Sequence, residues 1–193
     1  MKKSILAIAL LGITSLGFSQ RGEIRDAEDA IEDKNFELAL TELNKAKPQL
    51  EDEKDKWLIR YHLAKAKTHG NMASSQSGDE MMKNINTSLE SIDEVLELES
   101  DNEEALNYQA QLRQTMVQTA IDGQNEGDFN TAQDLLYKTY QMNNNDTVML
   151  YYAASAAVNG KIYDKALDYY GELLDLGFDG STTQYVAKNK ETG

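Results

Sequence analysis

The chain has no cysteine, one proline, one tryptophan and two histidines in 193 residues. Without a thiol there is no disulfide framework, no thiolate nucleophile and no anchor for the lipid of a bacterial lipoprotein. The histidines, His62 and His69, stand seven residues apart on one predicted helix, whereas a helical zinc pair uses positions i and i+4. No metal site is therefore expected. Glycine-rich phosphate loops are missing too, with neither a Walker sequence nor a dinucleotide fingerprint. Bases are the minority charge: 19 Lys and Arg stand against 33 Asp and Glu, a net charge of −14. Such a surface repels phosphate backbones and anionic head groups, so nucleic acid and peripheral membrane binding are disfavoured, while a basic partner or divalent cations stay open.

Long apolar runs are confined to the start. Lys2 and Lys3 precede an apolar stretch from Ile5 to Leu11, continued by Ile13 and Leu16 and closed by Gly17-Phe18-Ser19. This order predicts a secretory signal peptide over residues 1–19, cleaved before Gln20. An anchor helix is the alternative, but the stretch is short for a bilayer and holds Gly12, Thr14 and Ser15. Cleavage would remove two lysines and no acid, taking the net charge to −16. The expected location is periplasmic or cell-envelope associated, with no membrane insertion after cleavage. Acids crowd at Glu51-Asp52-Glu53 and from Glu90 to Glu104. A solvated helix face that keeps an exported protein soluble is the expected reading of them, ahead of a binding site.

What the chain does have is a period. Ala120 and Ala154 lie 34 apart, as do Phe129 and Tyr163, Ala132 and Ala166, and Leu136 and Tyr170. Within each unit alanine returns after 12 residues, as Ala27 to Ala39, Ala120 to Ala132 and Ala154 to Ala166. A 34-residue period is that of a helix-turn-helix repeat, in which small residues let two backbones approach. The expected fold is all-α: an α-solenoid of about four such repeats over residues 20–176, followed by an irregular or strand-like tail, 177–193.

Asn35-Phe36-Glu37-Leu38-Ala39, Asp128-Phe129-Asn130-Thr131-Ala132 and Ile162-Tyr163-Asp164-Lys165-Ala166 each read as a turn and the opening of a second helix. On these residues the chain resembles the tetratricopeptide repeat family, although the first-helix tryptophan, leucine-glycine and tyrosine of that family are mostly replaced. The resemblance implies that Phe36, Phe129 and Tyr163 plug the wedge between helices, and that first helices line a concave groove holding a protein or peptide partner. Aligned on the crossing alanines, it directs Ile24, Glu28 and Ile31, then Tyr61 and Lys65, then Val117, Ile121 and Gln124, and last Tyr151, Ser155 and Val158 towards that groove. Ordinary helix packing is the rival for the aliphatic positions. Tyr61 and Tyr151 are the preferred anchors, because an exposed tyrosine supplies rigid area with a polar end. With Ile24 and Glu28 in the first unit, a clamp for a C-terminal carboxylate is not expected.

Eight helices in four pairs are predicted. Pro48 closes the first pair. The second breaks at a linker from Gly70 to Gly78, Ser77 with Glu80 and Ser100 with Glu103 read as capping boxes, and Asp146 as an N-cap. In the tail, 182–187 reads as a strand and 189–193 as a turn, implying either a longer protein or pairing with another subunit. Asp122 to Asp128 faintly resembles a calcium loop, but Gln133 occupies the twelfth position, where a bidentate glutamate belongs, and the repeat turn fits better. No carboxylate pair stands out for glycoside hydrolysis. The expectation is a non-enzymatic interaction module without cofactor, or alternatively a structural subunit of an envelope or secretion assembly.

Overall fold

The computed structural model describes residues 11–50 and 54–180, and the described residues form eight α-helices and no strand. These are α1 (Leu11–Glu32), α2 (Phe36–Ala46), α3 (Asp55–Ala73), α4 (Gly78–Leu98), α5 (Glu103–Glu126), α6 (Phe129–Met142), α7 (Thr147–Asn159) and α8 (Tyr163–Asp175). A 3-10 turn at Lys47–Gln49, with Pro48 in its first positions, follows α2. The fold is all-α. The chain divides into two compact units, Met1–Thr115 and Met116–Gly193.

Three of the four hairpins are closed by one and the same turn. After α1, α5 and α7 the backbone enters the left-handed region at Lys34 (φ 57), Gly127 (φ 85) and Lys161 (φ 61). The next amide reaches back five residues in each case, Asn35 to the Ala30 carbonyl at 2.8 Å, Asp128 to Gly123 at 2.7 Å and Ile162 to Ala157 at 2.8 Å. This is the Schellman closure, which satisfies carbonyls that a helix end would otherwise orphan. The following helix is then capped from the same place: the Leu38 amide donates to Asn35 Oδ1 at 3.2 Å and the Thr131 amide to Asp128 Oδ1 at 3.1 Å. Ile162 holds the third copy of that position and has no oxygen with which to cap. The turn thus recurs in geometry even where its chemistry lapses.

The alanines that return at 12-residue spacing are all buried. Ala27, Ala39, Ala120, Ala132 and Ala154 are fully buried, and Ala166 nearly so. In unit 1, Ile24, Ala27, Leu43, Ala46, Tyr61 and Ala64 form one cluster, joining α1, α2 and α3, and α3 packs in turn on α4. In unit 2, α7 packs on both α6 and α8. A polar and aromatic seam also joins α6 to α8. Tyr169 donates to Gln133 Oε1 and Tyr140 to Glu172 Oε1, both at 2.7 Å. The Tyr137 ring stacks on Tyr169 with centroids 4.5 Å apart.

Several expectations change. Gly70 does not end α3, which runs on to Ala73, so the connection to α4 is residues 74–77 only. A Cβ at Gly70 would collide with the Tyr108 hydroxyl and meet Ser88 Oγ at 3.1 Å, so the glycine serves close approach rather than a break. Asn102, not Ser100, caps α5, accepting from the Ala105 amide at 2.9 Å. Ser77 occupies the N-cap of α4, but its side chain makes no capping bond. Phe36 and Phe129 are half-buried, whereas Tyr163, expected to plug a wedge between helices, is 61% exposed. Residues 1–10 of the expected signal peptide, and the strand and turn expected at 182–193, lie outside the described residues.

Candidate functional site

In unit 1 the first helices line a cleft of about 420 Å³, walled by Glu28 and Ile31 of α1, Arg60, Leu63 and Lys67 of α3, and Glu104 at the start of α5. An adjoining hollow shares Arg60, Leu63 and Glu104 and extends to Asp55, Leu98 and Asn102. Two ion pairs cross the cleft. Arg60 grips Glu28 with both prongs of its guanidinium, Nε donating to Oε1 at 2.8 Å and Nη2 to Oε2. Lys67 Nζ lies 2.5 Å from Glu104 Oε1. A bidentate pair fixes geometry as well as charge. The cleft therefore sets two fixed ion pairs around apolar surface from Ile31, Leu63 and Ala64.

Beside it, three of the four arginines in the chain converge on the single tryptophan. The Arg60, Arg25 and Arg21 guanidinium carbons stand 4.6, 5.4 and 5.5 Å from the Trp57 ring centroid. Each lies within cation–π range, and Arg60 links this cluster to the Glu28 pair. Spacing gave no hint of the cluster beyond Arg21 and Arg25 at i and i+4. Finding it requires knowing that α3 lies across α1.

The predicted groove residues fall into three groups. Tyr61 is a correction: only 4% exposed, it is part of the α1–α2–α3 core, its hydroxyl pushed above the usual range by burial. Ile24, also directed at the groove, is wholly buried in the same cluster. The apolar body of each gained more from desolvation than from a rim position. Glu28 and Ile31 do line the cleft, and Lys65, half-exposed on α3, does not. In unit 2, Val117, Ile121 and Gln124 follow one face of α5, and Tyr151, Ser155 and Val158 one face of α7. Ile121, Tyr151 and Val158 are each over 40% exposed, while Val117, Gln124 and Ser155 are half-buried. Tyr151 is not isolated: its ring meets Tyr170 of α8 at 6.5 Å and Phe178 at 5.8 Å.

The remaining polar candidates take structural places. His69 Nδ1 is 2.6 Å from Asn84 Oδ1, and Asn84 in turn donates to Gln76, tying α3 to α4. His62 lies edge-on to Tyr61. The faint calcium-loop sequence is the α5–α6 turn described above, with Asp128 as cap. Among the described residues no group of three potential ligands stands close enough to hold a metal, and no helix is long and apolar enough to cross a membrane.

Compared with family models, with curated proteins and with solved structures, the chain has no significant match in any of the three.

Proposed function

We propose that this chain is an exported, non-enzymatic interaction module, a stack of helical hairpins similar in build to tetratricopeptide repeats, which holds a segment of a protein partner against its first helices. The observation that carries the reading is the recurrence of one left-handed turn, with its buried alanine pair, in three hairpins. That recurrence is the local geometry a stacked-repeat protein needs, and such proteins bind along an extended face. The cleft supports it by setting Arg60, Lys67, Glu28 and Glu104 where main-chain and side-chain polar groups of a partner would meet fixed charges. The same hairpins fit a permanent subunit of a larger envelope assembly, a second reading favoured by the apolar surface left open on α8.

Photo-crosslinking in native envelopes tests the proposal. A crosslinker at Lys67, Ile121 or Val158 should capture the same partner, and one at Glu94 on α4 should not. Equal capture from all four, or none from the first three, removes the reading. Size exclusion of the native material then separates a module, which also runs alone, from a permanent subunit, which does not.

A further inference from the structure

The last described helix carries two apolar stripes and buries only one. Ala166, Tyr169 and Leu173 are buried, whereas Tyr163, Leu167, Tyr170 and Leu174, at i, i+4, i+7 and i+11, are 61, 72, 37 and 75% exposed. One repeat earlier, 34 residues back, the same four positions on α6 are Phe129, Gln133, Leu136 and Tyr140. There they are covered: Gln133, Leu136 and Tyr140 are at most 3% exposed, and the half-buried Phe129 abuts Gly160 at the end of α7. The face that α7 and α8 occupy on α6 is thus repeated on α8. With Tyr151 and Phe178 at its margin, it exposes on the order of 600 Å² of side chain, the upper limit of the largest patch on an ordinary monomer.

The edge of the stripe says what fits. Beside it on α8 run Asp164, Asp168 and Asp175, all exposed. The corresponding α6 residues are Asn130, Asp134 and Gln141, so the edge beside the covered stripe has one acid where the edge beside the open stripe has three. A second copy laid antiparallel along α8 would bring these carboxylates against their own counterparts, and like charges held together are repelled. The geometry points to a docking face on α8 for an amphipathic helix of another protein, its apolar side on Tyr163, Leu167, Tyr170 and Leu174 and a row of Lys or Arg along the Asp164–Asp168–Asp175 edge. This is a surface distinct from the first-helix cleft, and it stands or falls independently of that cleft.

The test titrates the full chain with a synthetic helical peptide of about 18 residues bearing a leucine seam and a lysine edge, and with its glutamate-edged twin, followed by NMR shifts and calorimetry. The lysine-edged peptide binds and shifts the amides of α8. Leu167→Glu with Leu174→Glu, both at exposed positions, weakens it by about tenfold or more. Asp164→Lys with Asp168→Lys transfers the preference to the glutamate-edged twin, while Lys67→Ala in the cleft changes nothing. The proposal is overturned if the lysine-edged peptide does not bind, or if both peptides bind alike. It is equally overturned if the wild type is a dimer that the double leucine variant dissociates, or if binding appears only after residues 181–193 are removed.

Discussion

Tyr169 of α8 donates a 2.7 Å hydrogen bond to Gln133 of α6, and both side chains are only 3% exposed. Neither group can fall back on water. Tyr169→Phe leaves a buried amide oxygen without this donor and should cost about 1–3 kcal/mol in urea unfolding. Combining Tyr169→Phe with Gln133→Leu should recover part of that loss, because a pair of matched apolar groups is closer to neutral than one orphan.

Alkali should open unit 2. Burial, reinforced by Asp134 for Tyr169 and by Glu172 for Tyr140, holds both hydroxyls above the ordinary tyrosine value, Tyr140 at about 12. In the unfolded chain they ionise near pH 10, so between there and the folded values the unfolded state binds fewer protons and stability falls as pH rises. Absorbance at the phenolate band should therefore show a fraction of tyrosines that titrates only together with the loss of circular dichroism.

Acid acts on unit 1 through His62. Burial, with help from Lys65 and against Glu94, lowers its imidazole from 6.5, and its Nδ1 is buried without a hydrogen-bond partner. The unfolded chain then takes up the proton first, so this contribution is intact above about pH 6.5 and is lost as pH falls towards the folded value. Denaturant midpoints between pH 8 and 5 should slope less in His62→Gln than in the wild type.

Lys34 and Lys161 occupy left-handed backbone that in the third copy of the turn belongs to Gly127. A residue with a Cβ is strained there by about 1–2 kcal/mol, offset in part by the greater freedom of glycine in the unfolded chain. Lys161→Gly should stabilise by about 0.5 kcal/mol, and Gly127→Ala should destabilise by about 1 kcal/mol, both read from chemical denaturation.

Gly160 has the opposite reason to be glycine. A Cβ placed there would come within 2.6 Å of Phe129 Cβ, joining the end of α7 to the start of α6. Gly160→Ala should lower the melting temperature by several degrees. Phe129→Ala should not rescue it, since the colliding atom is one that alanine keeps.

Much of the architecture was legible because it rests on residues whose size decides where they sit. Ala27, Ala39, Ala120, Ala132, Ala154 and Ala166 announce helix crossings, and the aromatic after each turn fixes where second helices begin. Spacing alone misplaced Tyr61, since an amphipathic ring suits a rim or a core equally and only the position of α2 over α1 and α3 decides between them. It misread Gly70 as a breaker because the reason for that glycine, the Tyr108 hydroxyl, lies 38 residues away in sequence. The Arg60–Glu28 pair and the arginines around Trp57 depend on long-range proximity that no local pattern encodes. The open stripe on α8 is not legible from spacing: Tyr163 is expected between helices, and the pattern of Tyr163, Leu167, Tyr170 and Leu174 beside Ala166, Tyr169 and Leu173 does not say which stripe a neighbour covers.

The gathering of three guanidinium groups about Trp57 has a practical corollary. As the sole indole of the chain lies in unit 1, its emission reports the melting of that unit, while unit 2 has no indole and is followed through the phenols, of which unit 1 contributes only Tyr61 and Tyr108. Two optical channels are thus built into the molecule, and whether they move at one temperature or at two tells directly whether the halves cooperate.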